Sequence, residues 1–284
     1  MKNILSIIFC LNLLVLNAQI EERAPKGFNT SFEYRQNPNL SLYFYYPDSF
    51  QKNESLPALV LFFGGGWRTG APKAFENQAK YLKSRGLIVI LADYRTSSLF
   101  GTTPEEAVKD AKSVMRYVRE NANKLHVIPN MIAAGGGSAG GHLAAACATI
   151  ENYNNVADNL KISPHPNALV LFNPVINNGP ANYGFDRLEK TYKEISPYHN
   201  LKAGVPPTII MQGTKDNLIP VETMKLYKLR MDSLGIRCDL HLYEGQKHGF
   251  FNISNKEYYD KTLLETDNFL VSIGYLHENK SIKN

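Results

Sequence analysis

Apolar residues in this chain fall into two alternating kinds of stretch. One kind is short and almost continuous: Pro57-Ala58-Leu59-Val60-Leu61-Phe62-Phe63, Leu87 to Ala92, Ala168 to Phe172 and Thr208 to Met211. A strand with no polar face must be covered on both sides, as in a parallel sheet. The other kind is longer, with apolar positions three and four apart. Ala107, Ala111, Val114, Met115 and Val118 form such a stripe after Pro104-Glu105-Glu106, a helix start with acidic residues in its first turn. Similar helices are predicted from about Pro72 to Ser84, closed by Gly86, from Val221 to Leu234, closed by Gly235, and from Glu257 to Ile273. A strand over Arg237 to Tyr243 precedes the last of these. Phe32 to Tyr46 differs, with two aromatic-rich runs around Asn37-Pro38-Asn39, and predicts an antiparallel hairpin at a sheet edge. The pattern is α/β: a mostly parallel sheet with an N-terminal antiparallel hairpin and helices on both faces. Residues 173–207 interrupt it as a polar, aromatic-sprinkled excursion, a short cap.

The most informative junction is Met131 to Ala146, where a short apolar strand runs into Gly135-Gly136-Gly137-Ser138-Ala139-Gly140-Gly141 and then an alanine-rich helix. Gly136, Ser138 and Gly140 stand at G-x-S-x-G. A serine on so tight a strand-to-helix turn takes an unfavourable backbone conformation, and the turn closes only if its neighbours are small. Its hydroxyl is then exposed at a helix N-terminus, where N–H groups and the helix dipole favour negative charge. A glycine-rich turn of this kind can also cradle a phosphate. Against that stand the missing Lys-Ser/Thr ending and the turn's position in mid-chain.

A nucleophilic serine needs a base, and the base needs an orienting carboxylate. In a parallel sheet both come from loops at the C-terminal ends of later strands. Two loops fit. Gln212-Gly213-Thr214-Lys215-Asp216 follows the strand ending at Met211, and Glu244-Gly245-Gln246-Lys247-His248-Gly249-Phe250 follows the strand ending at Tyr243. The candidate triad is Ser138, Asp216 and His248.

Four ordered motifs carry a family resemblance: the G-x-S-x-G turn, Gly213-Thr214-x-Asp216 with a following Pro220, His248-Gly249-Phe250, and Gly64-Gly65-Gly66-Trp67. Together with Ala92-Asp93-Tyr94-Arg95, the chain resembles the hormone-sensitive-lipase-like and acetyl xylan esterase-like serine esterases of the α/β-hydrolase superfamily, from about Leu40 to the last helix. The resemblance implies an acyl-enzyme on Ser138, an oxyanion hole from the N–H groups of Gly65, Gly66 and Ala139, and no metal or organic cofactor. Phe63 departs from it, standing where relatives have the histidine of the glycine loop; an apolar tether in place of a polar one is expected. Trp67, the only tryptophan, is expected to line the pocket as a substrate-binding residue. His142 is expected to be a packed helix residue rather than a second base.

The ends and the composition narrow the setting. Lys2 followed by an apolar Ile4 to Leu16 and by Asn17-Ala18-Gln19 predicts a signal peptide over 1–18, with 19–284 as one α/β-hydrolase catalytic domain. The chain is then secreted or periplasmic, with no membrane insertion once the signal is removed. A formal net charge of +5 over 284 residues, with the basic residues scattered, points to no nucleic-acid partner. Cys147 and Cys238 read as small buried residues, although export leaves a disulfide open. The expected substrate is a small-molecule or oligosaccharide ester, foremost a short acetyl ester on carbohydrate such as acetylated xylan. Tyr183, Phe185, Tyr192 and Tyr198 are candidates for stacking on sugar rings. General carboxylesterase and arylformamidase rank behind. A peptidase of the prolyl-oligopeptidase type is expected to carry a large propeller ahead of this core, and none fits here; an inert hydrolase-fold binder would have lost a triad member, and all three are present. Sugar, acyl group and oligomeric state stay open.

Overall fold

The computed structural model describes residues 22–278, so the expected signal segment 1–18 lies outside the described residues. Eight strands form one sheet: β1 (Thr30–Arg35), β2 (Leu40–Tyr45), β3 (Leu56–Phe62), β4 (Ile88–Ala92), β5 (Val127–Gly137), β6 (Ala168–Phe172), β7 (Thr208–Gly213) and β8 (Cys238–Tyr243). Their spatial order is β1-β2-β4-β3-β5-β6-β7-β8. β1 pairs antiparallel with β2, and β2 with β4; every later pairing is parallel. Among the described residues, the longer helices that cover it are α1 (Glu76–Ser84), α2 (Pro104–Glu120), α3 (Ala139–Thr149), α4 (Val221–Ser233) and α5 (Lys256–Ser272), besides short single-turn segments.

The continuous apolar strands are explained by the two cores they feed. Ala58, Val60 and Phe62 of β3 belong to one core with Val114 of α2, Leu143 of α3 and Met224 of α4. Leu59 and Leu61 point the other way, towards Ala79 and Leu82 of α1 and Phe269 and Leu270 of α5. Alternating side chains on one strand thus enter opposite layers. At the start of α2, the Thr103 N–H donates to the Glu106 carboxylate at 3.1 Å, completing a capping box ahead of Pro104.

Two boundaries differ from those expected. The helix predicted from Pro72 opens as a 3₁₀ turn over Pro72–Phe75 before becoming α1. β5 begins at Val127, where it pairs with Leu56 of β3, several residues before its apolar run; the exposed Pro129 and Asn130 in between mask this start in the sequence. Both Cys147 and Cys238 are buried and free.

α3 runs through the middle of the fold with all its residues buried, which its alanines and glycines allow. Beyond its end, the Lys112 ammonium donates to the carbonyls of Ile150, Glu151 and Asn152 at 2.9, 2.9 and 2.6 Å. Burial lowers that ammonium to a pKa of about 8.

Candidate active site

Ser138 sits at the junction of β5 and α3 with φ 54° and ψ −119°, a strained conformation for any residue but glycine. Close backbone approach dictates its neighbours. A Cβ on Gly140 would lie 2.0 Å from the Phe62 carbonyl oxygen, and one on Gly136 would lie 2.4 Å from the same atom. The spaced glycines therefore let the turn press onto the end of β3. A Cβ on Gly137 would meet the Phe251 ring at 2.6 Å, so the histidine loop closes against the elbow too.

The three triad candidates, distant in sequence, converge here. The Ser138 hydroxyl lies 2.9 Å from His248 Nε2, and His248 Nδ1 lies 2.7 Å from Asp216 Oδ2. Because Nδ1 donates to the carboxylate, Nε2 is left to accept the serine proton. The Asp216 side chain is fully buried. Burial alone would raise its carboxyl, but the hydrogen bonds from His248 and from the Ile219 and Leu218 N–H groups outweigh that and hold it below the ordinary aspartate value. The other nearby acids are engaged elsewhere: Asp239 pairs with Arg237 and Glu222 with Lys225.

Sequence reasoning missed two residues of this constellation. Gln212, fully buried at the end of β7, donates through Nε2 to Asp216 Oδ2 at 3.1 Å and to the Ile219 carbonyl at 3.0 Å. It ties the carboxylate to its own loop. Asn173, buried after β6 with φ 33°, accepts the Gly249 N–H at 2.9 Å and so fixes the histidine loop. Only their position after apolar strands hinted at either.

Gly64, Gly65, Gly66, Ser138 and His248 line one cleft of ≈ 520 Å³. Gly64 abuts the elbow: its Cβ would lie 3.0 Å from the Gly137 carbonyl oxygen and 3.4 Å from the Ser138 Cβ. Gly65 has φ 120° and Gly66 φ 63°, and a Cβ on Gly65 would fall 2.2 Å from the Thr69 carbonyl oxygen. Ala139 is the first residue of α3, where an N–H has no partner within its own helix. The candidate oxyanion donors thus surround the serine from the glycine loop and from the helix start.

Phe63 replaces a polar tether by packing. Its ring stacks on Tyr94 at 4.0 Å and carries the Arg23 guanidinium 5.5 Å above it, while the Tyr94 hydroxyl donates to the Phe63 carbonyl at 2.8 Å. Arg23 also pairs with Asp93 at 2.8 Å; burial raises that carboxyl to a pKa of about 6, against the pull of the arginine. Arg95 donates to Asp110 of α2 at 2.8 Å, so each residue of the Asp93-Tyr94-Arg95 run braces a different element.

Trp67 does not line the cleft. It is 2% exposed and lies with φ 58° between the elbow helix and the cap, its ring edge-on to His142 at 5.0 Å and near Tyr183 at 5.9 Å. An indole buries more apolar area there than in an open cleft. His142 is packed as expected: fully buried, its Nε2 2.9 Å from the Ile195 carbonyl, and lowered by burial to a pKa of about 4. Of the four aromatic candidates in the cap, Tyr183 alone reaches the cleft. Phe185 packs on Tyr192, Tyr192 on His199, and Tyr198 under Arg230.

Residues 42–183, half of the chain, match the family model described as BD-FAE. The acetylxylan esterase of Xylanibacter ruminicola is 27% identical over 280 residues, covering 94% of this chain and 55% of that protein. An isoprenylcysteine alpha-carbonyl methylesterase of Arabidopsis thaliana is 27% identical over 248 residues, covering 78% and 57%. The chain spans about half the length of these curated relatives. Among solved structures, Thermogutta terrifontis esterase 2 phosphonylated by sarin matches with a TM-score of 0.86 and 38% identity, over 90% of this chain and 98% of the other. The propionate-bound T. terrifontis esterase Est2 matches at 0.85 and 39%, over 89% and 97%.

Proposed function

The chain belongs to the BD-FAE family of α/β-hydrolase serine esterases, and on that premise we propose that it is an exported esterase for short acyl esters, acetyl foremost, on carbohydrate fragments. The observation that carries the chemistry is the unbroken run from Asp216 through His248 to the Ser138 hydroxyl, in a cleft walled by the glycine loop. In this reading Ser138 Oγ attacks the ester carbonyl while His248 Nε2 takes its proton, and buried Asp216 stabilises the imidazolium. The carbonyl oxygen becomes an anion, received by the N–H groups of Gly65, Gly66 and Ala139. Collapse expels the alcohol, protonated by His248, and leaves the acyl group on Ser138. Water, deprotonated by the same histidine, then releases the acid.

Two features support a short acyl group. Phe251 lies against Gly137 and stacks at 5.8 Å on Phe75, so aromatic rings wall the cleft beside the nucleophile. The structurally similar T. terrifontis esterase is described with propionate and with butyrate. The carbohydrate part rests on likeness to the acetylxylan esterase and on the polar lining of Arg68, Thr69, Tyr183 and Asn252. Export rests on the signal-like residues 1–18. The propionate and butyrate structures equally favour a second reading, a short-chain esterase indifferent to sugar. The two separate on kcat/KM for acetylated xylo-oligosaccharides against p-nitrophenyl acetate and butyrate. A preference for the oligosaccharide supports the carbohydrate reading; equal or better turnover of the simple esters supports the second.

A further inference from the structure

The glycine loop ends in a conformation that its last residue resists. Gly65, Gly66 and Trp67 follow one another with φ 120°, 63° and 58°. Glycine adopts such angles freely; tryptophan does not, and a strained backbone persists only when its surroundings hold it. Within the loop, the Gly65 carbonyl is held by the N–H groups of Arg68 and Thr69 at 3.0 and 3.1 Å. The Gly66 carbonyl is held from outside, by Arg187 Nη1 at 2.7 Å, across 121 residues of chain.

Arg187 belongs to a short helical turn of the cap, Phe185–Leu188. Its guanidinium also lies 5.2 Å from the Trp67 ring and 5.5 Å from the Tyr183 ring. Its acidic neighbour Asp186 is 4.0 Å away and largely exposed, so the short, charge-assisted bond is the one to Gly66. Trp67 Nε1 is buried without a hydrogen-bond partner among the described residues, so ring packing and the guanidinium over it hold the indole.

We propose that Arg187 is a positioning residue for the oxyanion hole, clamping Gly66 and Trp67 so that the glycine N–H groups are set for the transition state. The inference rests on the serine-esterase reading. Arg187 touches neither the triad nor the carbonyl in this role; it acts through the backbone of the loop. Its loss lets the Trp67 turn relax and the donors drift, which weakens binding of the developing oxyanion more than binding of the ester.

The test uses the full chain with Arg187→Met and Arg187→Lys, each checked for folding by circular dichroism. On p-nitrophenyl acetate, Arg187→Met should lower kcat about 10- to 100-fold while KM stays within about threefold, the pattern of an interaction realised in the transition state. Phosphonylation of Ser138 by a fluorophosphonate should slow in step. Arg187→Lys keeps a charged donor without the planar fork and should recover part of kcat. Because the chain has one tryptophan, its emission reads the clamp directly: acrylamide quenching should rise in Arg187→Met and less in Arg187→Lys. Should Arg187→Met fail to fold, an intermediate kcat with raised quenching in Arg187→Lys carries the result. Wild-type kcat in a folded Arg187→Met, or a loss expressed mainly in KM, overturns the proposal. A wild-type protein that neither turns over esters nor is labelled at Ser138 overturns the esterase reading itself, and this inference with it.

Discussion

The two walls of the cleft are held in different ways. On one side, the elbow from Gly136 to Gly140 is set by contacts within the sheet: the end of β3 leaves no room for a Cβ at either glycine. On the other side, Gly65 also leaves no room for a Cβ, but the stretch from Phe63 to Gly70 is held besides by side chains from elsewhere: Tyr94, after β4, at the Phe63 carbonyl, Arg23 from the N-terminal segment at the Gly70 carbonyl, and Arg187 from the cap at the Gly66 carbonyl. Exclusion of volume demands particular residue types at particular spacings, so it leaves a motif. Clamping by distant groups leaves no local trace, so the Gly64-Gly65-Gly66 run marks the loop's own close approaches but not the arginines that hold it. The nucleophile is thus placed by the core, and the oxyanion loop by its surroundings.

The largest expected effect lies on the elbow side. Ser138→Ala should cut kcat by at least about three orders of magnitude with the fold retained, since only the oxyanion donors remain. Asp216→Asn should come close to it, because the amide cannot hold His248 in the tautomer whose Nε2 accepts a proton. Steady-state turnover of p-nitrophenyl acetate checks both. Near-wild-type activity in a folded Ser138→Ala protein would contradict the mechanism.

Gly140→Ala probes the volume exclusion itself. A single methyl placed 2.0 Å from the Phe62 carbonyl must push α3 from β3, at a cost of typically about 1–3 kcal/mol for an overpacked core and occasionally more. Urea denaturation should show that loss, with activity falling as Ser138 moves. By contrast, the clamp variants of Arg187 should change turnover with little change in stability. If Gly140→Ala were neutral in both measurements, the elbow would be softer than its contacts imply.

Much of this was legible in the chain. Ser138 and Asp216 were placed by loops after strands that are apolar on both faces, and His248 by the loop after the more polar edge strand β8; the structure brings these side chains together. The antiparallel start was legible from Leu40 to Tyr46 because its aromatics favour extended backbone. What escaped was contact across the sequence. Gln212 and Asn173 look like ordinary polar residues at strand ends until their amides are seen holding Asp216 and the Gly249 N–H. Trp67 was misplaced for a related reason: adjacency to the glycine loop says where its backbone is, whereas the direction of its ring depends on His142, Tyr183 and Arg187, which come from other elements.

His142 lies at the seam between the two walls, on the elbow helix and against Trp67, and so gives the smallest and most selective test. It is fully buried, and burial lowers its pKa from the ordinary 6.5 to about 4. The neutral ring is the form the fold accepts, while the unfolded chain takes up a proton near 6.5. Stability from this group is therefore complete above pH 6.5 and is lost as the pH falls towards 4, by on the order of 3 kcal/mol over the window. Other groups titrate in the same range; the burial-lowered His165 and His199 shift in the same direction. The informative quantity is therefore the difference between wild type and His142→Gln, whose amide can still donate to the Ile195 carbonyl but does not titrate. Between pH 6.5 and 4 the wild type should lose stability faster than the variant, measured as the midpoint of urea unfolding at each pH. If protonation loosens the seam, quenching of Trp67 should rise in the wild type alone over the same range, before global unfolding. Parallel pH profiles in the two proteins would mean that the imidazole is not held neutral by burial, and that the packing joining the two walls is looser than the structure has it.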